Sequence, residues 1–279
     1  MTAATGVAPR TVVGRVIEHR FLTYRRTFRA SLFGSFLMPV MFLTAMGIGL
    51  GIYVDQGPTG QVAGVSYLVF LAPGLLASTA MQSGAFEATF PIIGGLEWNR
   101  TFHAMYATPI SGRDIALGNL IWVGLRLTLI TTIFTIAIVL FGAAISAMIV
   151  LAIPCAILTG LAFAAPIAAF SATQRTPEKF NAIFRFGITP LFLFSGTFFP
   201  VEQLPTALQA VAWATPLYHG VRLCRGFAMG TIGAEPWFAV VAVLLSQPDV
   251  GMTLVVPCVW AAQFFIAGLP IYWVILFVV

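Results

Sequence analysis

The side chains able to do acid, base, nucleophile or metal chemistry are few in this sequence and far apart. His19, His103 and His219 stand in different parts of the chain, without the short spacing a metal site requires. The one lysine, Lys179, lies in Thr176-Pro177-Glu178-Lys179, so there is no G-x-x-x-x-G-K-[ST] loop to cradle a nucleotide phosphate. The chain therefore has no P-loop with which to hydrolyse ATP. Neither a G-x-S-x-G elbow nor an H-E-x-x-H pair occurs. Cys155, Cys224 and Cys258 are isolated, which fits buried thiols better than a disulfide framework or a metal site. These absences argue against an enzyme: no catalytic residue, no metal ligand and no cofactor of its own is expected.

Two charges are conspicuous because of where they lie. Glu87 and Arg126 each interrupt a long apolar run, and an ionised group inside a membrane span is costly enough to require a reason. If the runs that hold them are antiparallel neighbours, the two can pair. Such a pair could fix helix packing or take part in moving cargo, or either side chain could snorkel to the headgroups.

The elements that must position these residues follow from composition. Of 279 residues, 59% are hydrophobic and 8% charged, against roughly 25% charged in a soluble domain. So few charges cannot cover a soluble protein of this size, and the expected solvent is lipid. A spanning helix needs about 20 apolar residues. That length divides the chain into a segment 1–30 and a transmembrane domain 31–279. The expected spans are 31–54, 65–94, 115–141, 147–172, 183–200, and 237–279 as one broken span or two. The fold class expected is an all-α integral membrane protein with six transmembrane helices. Within 1–30, Val13, Val16, Ile17, Arg20, Tyr24 and Phe28 recur at helical spacing, which predicts an amphipathic interfacial helix. Between spans five and six, Pro200, Pro205 and Pro216 predict short interfacial or re-entrant helices. Gly47 and Gly51 present a small-residue face on the first span.

Six of the fourteen basic residues precede residue 30, and the 96–114 and 174–186 loops hold five more. The first intervening loop and the turn at 142–146 hold none. Lys and Arg accumulate on the cytoplasmic side, which predicts a cytoplasmic N-terminus. Arg222 and Arg225 fall on the other side. The basic excess is read as orientation and headgroup contact, with no nucleic-acid partner expected. No cleavable signal peptide is evident at the start.

Several stretches resemble the type-2 ABC exporter permeases, in particular their nodulation-factor export and daunorubicin-resistance branch. These are Arg25-Arg26-Thr27-Phe28-Arg29, Phe36-Leu37-Met38-Pro39-Val40 and Phe70-Leu71-Ala72-Pro73-Gly74. Glu97-Trp98-Asn99-Arg100-Thr101-Phe102-His103 leading to Ala107-Thr108-Pro109 is similar to the loop after span two of that family. Ser195-Gly196-Thr197-Phe198-Phe199-Pro200 is similar to the end of its span five. Pro216-Leu217-Tyr218-His219 followed by Arg225 resembles its signature before the last span. The resemblance covers about residues 10–240, and the last 35 match poorly.

The resemblance implies a coupling helix in the 96–109 loop, docked on a separate ABC ATPase through Glu97 and Arg100, with Thr101 and His103 in the same loop. ATP and Mg would be bound by that partner. It also implies a second permease, identical or a sister chain, and short extracellular helices between spans five and six. The expected function is ATP-driven export of a hydrophobic or amphipathic molecule, a lipid-linked saccharide or a drug-like compound, across the bacterial plasma (inner) membrane. The alternative is a proton- or sodium-coupled secondary transporter, for which the charge at Glu87 speaks but an internal repeat does not. A membrane-embedded enzyme or scaffold is a third possibility, without any catalytic constellation behind it.

Overall fold

The computed structural model describes residues 9–57 and 62–231, which form helices joined by turns. Helix α1, Pro9–Phe42, continues through a π-helical stretch, Leu43–Leu50, into α2, Gly51–Asp55, with helical dihedrals at both junctions. The sequence suggested an interfacial helix and then a separate span, but no break occurs near residue 30. The periodic face turns onto another helix: Val16 is buried against Gly118, and the Tyr24 ring meets Trp122 edge-on at 5.6 Å. An apolar stripe is satisfied by a neighbouring helix as well as by headgroups, and spacing alone cannot distinguish the two.

Helix α3, Tyr67–Glu87, is followed by the short α4, Phe90–Ile93, and a π-helical turn, Gly94–Trp98. The interruption falls at Thr89 (φ −107°, ψ −84°), just before Pro91, whose ring discourages a continuous helix. Helix α5, Thr101–Tyr106, occupies the loop, and α6, Gly112–Leu140, starts from a capping box. There the Ser111 hydroxyl accepts from the Asp114 amide while the Asp114 carboxylate accepts from the Ser111 amide. Gly142, at φ +67°, makes the tight turn expected at 142–146. A 3₁₀ turn, Ala147–Leu151, leads into α7, Ala152–Ala172.

The fifth expected span is displaced. Helix α8, Glu178–Ala182, runs through a π-helical stretch, Ile183–Ile188, into α9, Thr189–Phe194, and ends there rather than at residue 200. Beyond it Ser195 leaves helical geometry and Gly196 takes φ +82°. Hydropathy does not register that turn because the residues remain apolar. The proline-rich region contains α10, Thr206–Trp213, and α11, Pro216–Met229. The sixth span expected over 237–279 lies outside the described residues, as does Cys258.

Three helical segments among the described residues are long and apolar enough to cross a membrane. They are Tyr67–Trp98, Gly112–Leu140 and Ala147–Ala172, with mean hydropathies of 1.3, 2.1 and 2.4. Helix α3 is the central one, packed by α6, α7 and α11. Its contact with α7 depends on the absence of side chains at the crossing: a Cβ on Gly84 would lie 2.5 Å from the Gly160 carbonyl oxygen. A Cβ on Gly160 would lie 2.7 Å from the Ala80 oxygen, so the backbones touch. Gly47 and Gly51 likewise turn toward Leu68 and Tyr67 of α3, so the small-residue face serves packing within the chain.

The outer flank is apolar, with Leu117, Ile121, Leu125, Ile136 and Leu140 exposed along α6. Some hydroxyls inside the helices are satisfied locally: Thr131 donates to the Leu127 carbonyl and Thr159 to that of Cys155, while those of Thr135 and Ser171 find no partner among the described residues. An apolar exterior over helices that satisfy their own backbone is what a lipid solvent demands.

Candidate coupling and transport site

Residues at one end of the bundle assemble into a charged hub beside a cavity. Helices α3 and α6 are antiparallel, which brings Glu87 and Arg126 together as the sequence anticipated. The Arg126 Nη2–Glu87 Oε1 distance is 3.0 Å, with side chains 9% and 14% accessible. The Arg126 guanidinium also lies over the Tyr24 ring of α1, 4.4 Å from its centroid.

Arg20 joins this cluster. Its Nε donates to the Asn119 Oδ1 at 2.8 Å, its Nη2 reaches the Pro91 carbonyl, and its guanidinium sits 5.4 Å from the Phe102 ring centroid. Glu87 is its electrostatic neighbour. One arginine of α1 therefore ties together α4, α5 and α6. Sequence reasoning placed Arg20 on a helical face without giving it a role, quoted Phe102 within the loop stretch without giving it one, and missed Asn119. The one available signal was an arginine within an otherwise apolar periodic stripe.

Glu87 and Asn119 line a cavity of 510 Å³ whose walls are otherwise mostly apolar, with Ile92, Leu120 and Ala168 among them. Its size lies within the usual range for a small-molecule pocket, roughly 300–1,000 Å³. Phe102 and His103 of α5 also face it.

Helix α5 is held from one side only. Phe102 is buried in a small cluster with Ile92 of α4 and Ile115 of α6. It packs so closely on Gly95 that a Cβ there would lie 2.7 Å from the ring. The Thr101 hydroxyl reaches back to the Gly95 carbonyl. Glu97, Trp98 and Arg100 before it and Ala104 on the side away from Phe102 are exposed, and His103 and Tyr106 are exposed where they line the cavity. Arg100, preceding α5, adopts φ +52°, a left-handed conformation that costs a non-glycine residue about 1–3 kcal/mol and recurs at functional sites. Of the loop residues singled out from sequence, Glu97, Arg100 and His103 are exposed and Thr101 is partly so.

The remaining sequence candidates lie at the opposite end. Pro216 occupies the first turn of α11, where a missing N–H is harmless. His219 Nε2 is 2.9 Å from the Trp213 carbonyl oxygen and closes the end of α10. Arg225 lies 3.7 Å from the Phe70 ring centroid and donates to the carbonyls of Phe70 and Gly196 at 3.1 and 2.8 Å. It pins α11 to α3 and to the turn after α9. Pro216, His219 and Arg225 are thus not brought together with Glu97, Arg100, Thr101 and His103.

Comparison with known proteins agrees with an apolar, membrane-type helical chain. The family model described as ABC-2 type transporter matches residues 3–228. The chain is 34% identical to Nodulation protein J of Rhizobium leguminosarum bv. viciae over 215 residues, 77% of this chain and 81% of that protein. It is 33% identical to Nodulation protein J of Rhizobium meliloti (strain 1021) over 239 residues, 83% and 89% of the two chains. To Nodulation protein J of Azorhizobium caulinodans it is 26% identical over 210 residues, 75% and 81%. A membrane-type helical bundle and a family match over most of the chain lead to one assignment: this chain belongs to the ABC-2 type transporter family, as a membrane-embedded permease.

Proposed function

We propose that the chain is the transmembrane subunit of an ATP-driven exporter of hydrophobic or amphipathic molecules, with ATP hydrolysed by a separate subunit docked on α5. The observation that carries this reading is the position of α5 between solvent and the cavity. Its outer side, with Ala104, is exposed next to Glu97 and Arg100, while Phe102, His103 and Tyr106 on its inner side line the cavity. Closure of a pair of ATPases beneath two permease copies, identical or sister chains, would shift α5. Phe102 would carry that displacement to α4 and α6, which form walls of the cavity. The apolar lining suits a lipid-linked saccharide or a drug-like compound better than an ion. ATP and Mg belong to the partner subunit.

The basic N-terminal segment and the basic loops support a cytoplasmic α5 end, and the rhizobial relatives support a bacterial plasma membrane as the setting. Against a proton- or sodium-coupled carrier stands the 3.0 Å pairing of Glu87 with Arg126, which leaves the carboxylate already engaged.

The test is affinity capture of the chain from native membranes, wild type against Glu97→Ala/Arg100→Ala. Co-purification of a P-loop ATPase with the wild type, weakened in the variant, is the expected outcome. Capture without any ATPase would sink the exporter reading, and equal ATPase recovery from both proteins would remove Glu97 and Arg100 from the interface.

A further inference from the structure

The 510 Å³ cavity beside α5 owes much of its space to one face of α7. Ala165, Ala168, Ala169 and Ala172 recur at the spacing of a single helical face, and all four line it. Methyl groups stand where larger side chains would close the space. Further walls come from α6 and from α5 itself, which contributes Phe102, His103 and Tyr106.

The polar groups deep in these walls are already engaged. The Asn119 Oδ1 accepts from the Arg20 guanidinium, and its Nδ2 donates to the Ile115 carbonyl at 2.9 Å. The Glu87 carboxylate pairs with Arg126 at 3.0 Å and has Arg20 as a further electrostatic neighbour. Neither arginine is among the residues that line the cavity. An anionic ligand would therefore meet Glu87 without a facing counter-charge. A cationic one would meet a carboxylate already balanced by two guanidinium groups. Either would lose hydration without compensation, which is costly. His103 and Tyr106 are exposed, so water reaches their polar atoms. What the walls favour is the burial of uncharged apolar surface.

We propose that this cavity binds an uncharged apolar group, a hydrocarbon chain or a neutral aryl moiety, and that the binding depends on α5. The inference deepens the exporter reading, on which it rests for its meaning. An amphiphile would insert its apolar part here and keep charged or sugar groups outside. A compact charged compound would be excluded. Because α5 supplies part of the wall, a ligand in the cavity binds differently once α5 shifts, and by linkage the ligand biases α5 in turn.

The experiment uses the purified full-length chain in a fluorinated surfactant, whose chains mix poorly with hydrocarbon. It needs no ATPase, so its failure is separable from failure of the exporter reading. The probe is phenylnaphthylamine, a neutral aryl amine that brightens in apolar sites. Ala168→Leu, which fills the cavity, reports the probe taken up by micelles alone. The wild type is expected to bind the probe saturably, and more tightly than Ala168→Leu by about tenfold or more. Methylnaphthalene, naphthoate and naphthylmethylammonium then compete on the wild type; they share one framework and are too compact to leave a charge outside. Methylnaphthalene should displace the probe at concentrations lower by about tenfold or more. Tyr106→Ala should weaken the probe by about threefold to tenfold, an order-of-magnitude loss for one aromatic wall. Trp98→Ala, exposed in the same loop but outside the cavity, should leave binding unchanged.

Equal binding by the wild type and the filled variants, displacement by either charged competitor as readily as by methylnaphthalene, or no effect of Tyr106→Ala overturns the proposal. Ala168→Leu should leave the melting temperature unchanged or higher. A fall passes the comparison to Ala169→Leu, and the charge series on the wild type stands whatever the variants do. Displacement of the probe by dioleoyl phosphatidylcholine supports the site and makes a bilayer acyl chain its resident ligand. Selective displacement by methylnaphthalene without displacement by the phospholipid supports it with the apolar part of the cargo as ligand.

Discussion

Neutralising Glu87 by Glu87→Gln keeps the side-chain volume but deletes the carboxylate that faces Arg126 at 3.0 Å. At that distance, with an effective dielectric constant of about 20, the gross attraction is roughly 5–6 kcal/mol. Desolvation opposes much of it. Removal of one partner from a buried pair nevertheless typically costs about 3–5 kcal/mol, because the other charge is left uncompensated. With side chains 9% and 14% accessible, water relieves some of that penalty, and the lower end, about 3 kcal/mol, is the expected loss. The two single substitutions should also differ. Glu87→Gln leaves both Arg126 and its electrostatic neighbour Arg20 facing a neutral amide. Arg126→Gln leaves Glu87 with Arg20 still nearby, so it should cost less through charge, although it also loses the contact with Tyr24.

The assay is a double-mutant cycle of unfolding free energies in mixed micelles, for Glu87→Gln, Arg126→Gln and both together. A coupling energy of about 2 kcal/mol or more is expected, with the double variant recovering part of the single-variant loss. Additivity within about 0.5 kcal/mol, or single losses below that value, would refute the view that this pair holds α3 to α6.

The close crossing of α3 and α7 predicts that Gly160→Ala destabilises by about 1–3 kcal/mol in the same assay, because the obstructing Ala80 oxygen is backbone and cannot rotate away. A stability change within 0.5 kcal/mol, an order-of-magnitude threshold for a neutral substitution, would mean the helices part without cost. Phe102→Ala should leave ATPase capture near the wild-type level, since the ring faces inward, while abolishing export in vesicles supplied with ATP. Retained export would show that force does not pass through this side chain. Together with the capture experiment on Glu97 and Arg100, these variants separate docking from transmission.

Much of the architecture was legible without coordinates because one physical constraint dominates it. A helix in lipid must be long and apolar, so runs of uncharged residues mark α3, α6 and α7 to within a few residues, and Gly142 marks the turn between two of them. The same constraint made Glu87 and Arg126 stand out, and antiparallel neighbours were enough to anticipate their pairing. The exposed loop with α5 was legible for a different reason: its polar residues interrupt the apolar pattern and resemble a family's coupling segment.

What the sequence could not decide was which surfaces meet. Periodicity marked the face of Val16, Arg20 and Tyr24 but could not say whether lipid or α6 would cover it, since both satisfy an apolar stripe. The end of the α9 segment at Phe194 was invisible to hydropathy, because the turn that follows is built from apolar and small residues. Arg20 became a hub only through contacts with residues distant in the chain. Composition and spacing thus determined a membrane-type helical bundle with an exposed polar loop, because solvent acts on each residue locally. Tertiary structure alone decided the charged hub, the cavity and the direction in which α5 is anchored, because those depend on distances between helices.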